Sequence, residues 1–324
     1  MLLKKILLFN TFLAFVLISC SNHSVNKEYD SKGNLIKTIE MANGKPDGVT
    51  TLYNGGKIIA QANFLNGVQE GVTRKYFLNG NLEKFVVFHN GVAEDSQVIY
   101  NPNGTIRELS HLVHGEKFGY YKMNSTNGSP FWDGFTFKGY QDSTWVTYDS
   151  VSGLIKNIEL FKRGIKIKQI DTTDLTFKKI DTNSLPFIIS VPSNWKIKLN
   201  DGKYLLTIEK KDTYKKKVIL PYITIRTTEI KHADFSTDFN QSVKALLKTG
   251  QISKIISKKN LKIDTKQAYE LIWIGSFNNN ECGFVSTSIV NNGRAYTLAC
   301  SSAKDNISLY AELFKEMARS IHFR

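Results

Sequence analysis

Residues 29–170 repeat on a period of about 24 residues, and nothing else in the chain restricts its fold so strongly. One glycine series is Gly33, Gly56, Gly80, Gly104, Gly128 and Gly153; a second is Gly44, Gly67, Gly91, Gly115, Gly139 and Gly164. Tyr29, Tyr53, Tyr76, Tyr100 and Tyr148 keep the same spacing, with Asn124 in the missing place. So do Met41, Phe64, Phe88, Leu112 and Phe161. Glycine suits points where the backbone must take positive φ, and the Thr, Ile, Val, Tyr and Phe between them suit strands. Each of the six units therefore reads as one β-hairpin. A lone hairpin cannot bury enough apolar surface to persist, whereas hairpins in series stack on their neighbours. The expected product is an elongated, mostly single-layer antiparallel sheet.

The residues Tyr53-Asn-Gly-Gly56, Tyr76-Phe-Leu-Asn-Gly80, Tyr100-Asn-Pro-Asn-Gly104 and the Asn-Gly pairs at 66–67 and 90–91 resemble the MORN-type repeat, in its bacterial variant. The resemblance implies a scaffold, a protein-contact surface or a lipid-proximal platform, and it carries no catalytic residue. The fifth unit departs from the pattern: Tyr120, Tyr121, Phe131, Trp132, Phe135, Phe137, Tyr140 and Trp145 crowd around Pro130. Phe131, Trp132 and Trp145 are candidates for a partner surface; the alternative is that they pack against the stack or the next domain.

Asp171–Asn183 is polar and aperiodic and reads as a linker, 171–183. Beyond it, 184–324 alternates strand-like runs with two amphipathic stretches. Strands are expected at 187–191, 204–209, 218–228, 252–262, 267–277, 283–290 and 294–300. One helix follows a Ser236 or Thr237 cap to about Thr249. A second, over 305–320, buries Ile307, Tyr310, Leu313, Phe314, Met317 and Ile321. The fold class is thus mainly β plus α+β, the C-terminal part being an antiparallel sheet with two flanking helices. Phe187–Trp195, Tyr269-Glu-Leu-Ile-Trp273, Ala295-Tyr296-Thr-Leu298 and Phe314–Phe323 resemble the PsbP-like family, which includes DcrB-type lipoproteins. That resemblance implies docking or stabilising roles and transfers no catalytic residue.

The first residues bear on location. Lys4 and Lys5 precede an apolar run, Ile6–Ile18, too short for a typical span of roughly 20 residues. The run ends in Leu17-Ile18-Ser19-Cys20, which resembles a bacterial lipobox. The expectation is a signal peptide at 1–19, acylation of Cys20, a tether at 20–28, and attachment to a membrane through two or three acyl chains. By resemblance to enterobacterial sorting signals, Ser21 after the cysteine, in place of Asp, implies the outer membrane where there is one. With Cys20 used for lipid, Cys282 and Cys300 remain. Asn291-Asn292-Gly293 between strand-like runs signals a hairpin centred near 291–292, which would bring the two onto nearby rungs and allow a disulfide.

Formal net charge is +14, and 171–324 holds 24 Lys+Arg against 15 Asp+Glu. The excess points to an anionic surface such as headgroups or wall polymers and away from nucleic acid, or else reflects a Lys- and Asn-rich composition. Its densest piece is Lys210, Lys211, Lys215, Lys216 and Lys217, either a docking patch or a solvated hairpin loop. No phosphate loop, dinucleotide fingerprint, metal set or nucleophile–base–orienter constellation is present in the sequence, so no cofactor, metal or catalytic residue is assigned. The favoured reading is a non-enzymatic, membrane-anchored envelope lipoprotein acting as a protein-interaction or scaffold module toward an envelope protein or the cell wall. The alternatives are a ligand carrier or sensor, using a groove in the C-terminal domain or the aromatic fifth repeat, and an envelope hydrolase.

Overall fold

A computed structural model of the chain describes residues 22–200, 202–210, 221–232, 234–277 and 280–324. Cys20, the 1–19 segment and Lys211, Lys215, Lys216 and Lys217 lie outside the described residues. Thirteen strands form one antiparallel sheet in sequence order. They are β1 (His23–Tyr29), β2 (Leu35–Ala42), β3 (Lys45–Asn54), β4 (Lys57–Leu65), β5 (Val68–Tyr76), β6 (Leu82–His89) and β7 (Val92–Tyr100), followed by β8 (Ile106–Val113), β9 (Glu116–Asn124), β10 (Pro130–Phe137), β11 (Tyr140–Tyr148), β12 (Ile155–Lys162) and β13 (Ile165–Gln169).

The second glycine series explains this order. Asn43-Gly44, Asn66-Gly67, Asn90-Gly91, His114-Gly115, Lys138-Gly139 and Arg163-Gly164 all hold φ between 49° and 88°. Two successive residues at positive φ make the hairpin turn whose twist matches its strands. The tyrosine series has a role too. The hydroxyls of Tyr53, Tyr76 and Tyr148 each meet a polar side chain fifteen residues earlier: Thr38 at 3.5 Å, Gln61 at 3.2 Å and Asp133 at 3.0 Å.

By contacts the chain divides into two units, one ending at Glu94 and one spanning Asp95–Arg324. In the first, only Ala42, Thr51 and Val86 are buried among the described residues. That unit is a sheet without a covering layer.

The second unit has a closed core. After β13, the stretch expected to be a linker instead forms a 3-10 turn at Thr172–Leu175, capped by Asp171, and the strand β14 (Phe177–Ile180). β14, β15 (Phe187–Pro192) and the terminal β23 (His322–Phe323) make a small sheet. The main C-terminal sheet uses β16 (Lys196–Leu199), β17 (Leu206–Glu209), β18 (Tyr222–Glu229), β19 (Ile252–Ile263), β20 (Lys266–Phe277), β21 (Asn280–Asn291) and β22 (Arg294–Ala303). Its order is β16-β17-β18-β22-β21-β20-β19. Two helices accompany it, α1 (Phe235–Lys248) and α2 (Ile307–Arg319). Asp234 caps α1 by accepting from the Ser236 amide, two to three residues earlier than the sequence cap.

α2 closes the core from the inner face. Leu313, Phe314 and Met317 are fully buried with Ile223, Ile225 and Val285 of the sheet. The same core takes in Val146, Ile155, Ile158 and Ile170, which belong to the repeats or directly follow them. Thr144 donates to the Ser308 carbonyl at 2.8 Å, and Lys168 Nζ to Asn306 Oδ1 at 3.0 Å. Each fully buried Leu, Ile, Phe or Met contributes about 1.5–3 kcal/mol. The last repeats and the C-terminal domain are therefore one packed body, and the division at Glu94/Asp95 falls inside the repeat region, not at 171.

Cys282 and Cys300 do not form the disulfide that the hairpin suggested. The turn residues are Asn292 and Gly293, between paired Asn291 and Arg294. This places Cys282 opposite Ala303 and Cys300 opposite Val285, three rungs apart. An odd offset puts the two side chains on opposite faces of the sheet. Burial pushes the Cys300 thiol well above its ordinary pKa, which makes it a poor nucleophile. Alkylation of the unfolded, unreduced protein is expected to modify both residues; protection of both until a reductant is added would show a bond after all.

Candidate functional site

Three places in the second unit bring functional groups together. The first is an aromatic face on β9, β10 and β11. Tyr120 pairs with Phe135, and Phe137 with Tyr140. The Phe118 ring lies 5.1 Å from Phe137, and Tyr120 lies 6.0 Å from Phe135. Direct partners and residues two apart share a face, so these five rings stand together. Phe118, Tyr120, Phe135 and Tyr140 are 38 %, 42 %, 50 % and 62 % exposed. Asp133 is set beside this face and accepts from Tyr148. Burial raises the Asp133 pKa, against the Tyr148 hydrogen bond, and the nearby Glu312 of α2 adds to the rise. The aromatic face thus lies beside the docked helix and is not covered by it.

Of the sequence candidates here, Trp132 is 39 % exposed and Phe131 half-buried, with rings 4.8 Å apart. Trp145 is a correction. It is only 6 % exposed, its indole donates to the Phe135 carbonyl at 2.8 Å, and it lies flat over Gly134. A Cβ on Gly134 would stand 2.6 Å from that ring. Gly134 therefore admits Trp145 into the sheet, and Trp145 has no part in a partner surface.

The second place is a buried ion pair. Asp174, near the start of the expected linker, is fully buried. It accepts from Trp195 Nε1 at 2.8 Å, from Asn194 Nδ2 at 3.3 Å and from Lys210 Nζ at 2.5 Å. Lys210 also donates to the Tyr310 hydroxyl of α2 at 3.2 Å. Burial works against the Lys210 ammonium, but the bonds to Asp174 and Tyr310 outweigh it and its pKa ends above the ordinary value. Burial raises Tyr310 as well. Lys210 is thus corrected from docking patch to structural ion pair. Sequence reading missed Asp174 because an acid in a polar stretch reads as solvated, and its partner lies 36 residues away.

The third place is a groove of about 320 Å³ between α1 and the outer face of the main C-terminal sheet. Phe235, Phe239, Val243 and Leu246 of α1 pack on Tyr269, Leu271 and Trp273 of β20. Trp273 stacks on Phe284, 3.9 Å between centroids. Thr297 of β22 and Ser286 and Ser288 of β21 line the floor, and Arg226 of β18 lines the far side. Ser288 and Thr297 share a hydrogen bond of 2.8 Å. The Trp273 Nε1 is buried without an acceptor. Among the described residues no group of His, Cys, Asp and Glu is placed to hold a metal, and no helix is long and apolar enough to cross a membrane.

No protein family matches the sequence, nor does any curated protein. Solved structures similar to part of the chain include cyanobacterial PsbP (CyanoP) from Synechocystis, 16 % identical, TM-score 0.35, covering 46 % of this chain and 92 % of that one. LpqN of Mycobacterium tuberculosis, described as involved in cell envelope biogenesis, is 12 % identical with TM-score 0.36, covering 45 % and 89 %. A Pseudomonas aeruginosa protein of unknown function is 9 % identical with TM-score 0.33, covering 46 % and 97 %. At these scores and identities the likenesses assign neither a family nor a function.

Proposed function

We propose that this chain is a non-enzymatic lipoprotein of the bacterial cell envelope, held on a membrane through acylated Cys20, that works by presenting surfaces to a protein partner. The aromatic face of β9–β11 carries the reading. Four large rings stand at least 38 % exposed on adjacent strands, and interface cores are enriched in such residues. Contiguous exposed apolar surface of this kind marks contact sites more often than it occurs by chance. The face is flat and lies beside a charged helix surface carrying Glu312 and Arg319, which suits another protein better than a small ligand.

The test has two parts. Cys20→Ser is expected to move the protein from the membrane fraction to the soluble fraction; continued membrane retention would overturn the anchor. A photo-crosslinking residue at Tyr140 is expected to capture a defined protein in intact cells, with the yield falling at least about tenfold, roughly 1.4 kcal/mol of binding, when Phe118 and Phe135 are both changed to Ser. The same products from a probe at Val151, which is 93 % exposed in a remote turn, would overturn the surface assignment.

A further inference from the structure

We propose that the groove between α1 and the main C-terminal sheet binds a small amphipathic carboxylate, its acid group on Arg226 and its apolar body along Leu271, Trp273 and Phe239. This is independent of the anchor and of the aromatic face.

Strand register shapes the groove. Arg226, Thr297, Ser288 and Tyr269 form one rung across β18, β22, β21 and β20. The next outward rung is Thr224, Ala299, Ser286 and Leu271, and the one after it Tyr222, Ser301, Phe284 and Trp273. On the first two rungs the middle strands thus offer only Thr, Ser and Ala. Larger side chains rise on both sides, Arg226 on β18 and the β20 series opposite. At about 4.8 Å per strand the trough is about 14 Å across. The α1 edge, with Gln241 and Ser242, closes one flank. The groove volume falls at the small end of the range for ligand sites, roughly 300–1,000 Å³.

Charge places the ligand's ends. Arg226 lines the groove and makes no ion pair among the described residues. Of the two acids nearby, Asp238 is held by hydrogen bonds and Glu229 is largely exposed. Asp238 accepts from His232 Nδ1 and from the Lys231 and His232 amides, and Glu229 lies 3.9 Å from Arg294. The guanidinium therefore faces the trough as an open carboxylate site, for which its paired N–H donors are suited. The far end is apolar. There Leu271, Trp273 and Phe239 line the groove. The Ser288–Thr297 hydroxyl pair stands midway.

The experiment titrates octanoate, and the neutral isostere octanamide, into the chain from Asn22 onward, which carries every element described, with binding followed by calorimetry. Octanoate is expected to bind saturably and at least about tenfold tighter than octanamide, the size of one charge-assisted hydrogen bond. Arg226→Gln is expected to abolish that preference. Because Arg226 is exposed, the fold should survive the change. Ser286→Phe fills the trough and is expected to remove octanoate binding while leaving the far-ultraviolet circular dichroism unchanged. Absence of saturable octanoate binding at millimolar concentration, equal affinity for the two probes, or a preference that survives Arg226→Gln would each overturn the proposal.

Discussion

Replacing Asp174 with Ala is expected to destabilise the second unit by about 3–5 kcal/mol, read as a shift in urea-induced unfolding. Removing one partner of a buried ion pair leaves the other charge in a low-dielectric surrounding without compensation, and that cost falls in this range. Here the Trp195 indole loses its acceptor, and Lys210 and the Asn194 amide keep only the Tyr310 and Thr173 hydroxyls. The double change Asp174→Leu with Lys210→Met is expected to recover much of the loss, because exchanging a buried pair for well-packed apolar side chains is often neutral. A loss below about 1 kcal/mol for Asp174→Ala would mean that water reaches the site and screens it.

The same pair sets an alkaline limit. The Lys210 pKa is higher in the folded chain than its ordinary value, and so is that of Tyr310. Groups that hold their protons more tightly when folded contribute stability that is complete below their unfolded pKa values and is lost as pH rises through the folded ones. Stability should therefore fall as pH climbs past the ordinary lysine and tyrosine range, and Lys210→Met should flatten part of that fall. A pH profile identical in both proteins would remove Lys210 from the account.

The second large effect is expected at Ile158. This residue belongs to the repeats by sequence yet is fully buried in the core that α2 closes. Ile158→Ala should cost about 2–5 kcal/mol, transfer loss plus cavity. The informative feature is where the cost appears. If the last repeats and the C-terminal domain unfold together, signals from the repeat strands and from α2 shift by the same amount. Trp145 in β11 and Trp195 after β15 give fluorescence reporters on the two sides, with the other two tryptophans changed to Phe.

Repeats were legible because turn chemistry is local. A glycine at a fixed interval, preceded by Asn in the first three units, announces two residues at positive φ, and the hairpins follow. Both helices were legible from their apolar spacing, and their ends moved by one to three residues because caps and fraying are set locally. The associations between distant segments were not legible. Nothing near Ile158 or Val146 in sequence says that α2 shares their core. Asp174 and Lys210 look like solvated charges until the fold joins them. Sequence left Trp145 open between a partner surface and packing, because its concealment depends on the missing side chain of Gly134, a neighbour across the strand pair. The cysteines failed by three rungs: moving the turn centre by one residue moves every facing pair by two and can change which residues meet.

The candidate sites divide in the same way. The aromatic cluster at 118–145 was visible as composition, and the structure separates its exposed members, Phe118, Tyr120, Trp132, Phe135 and Tyr140, from the buried Trp145. Arg226 carried no signal, since a single arginine in an alternating strand reads as an ordinary outward residue. Its meaning comes from the small side chains beside it on β22 and β21.

The central structural claim is that Asp95–Arg324 is one cooperative body, with the last repeat strands sharing the core of the C-terminal domain. Hydrogen exchange followed by mass spectrometry, in urea just below the unfolding transition, tests it most directly. Peptides from β11–β12 and from α2 should open with the same free energy, and Ile158→Ala should lower both equally. Earlier opening of β11–β12, with α2 still protected and unaffected by Ile158→Ala, would contradict it.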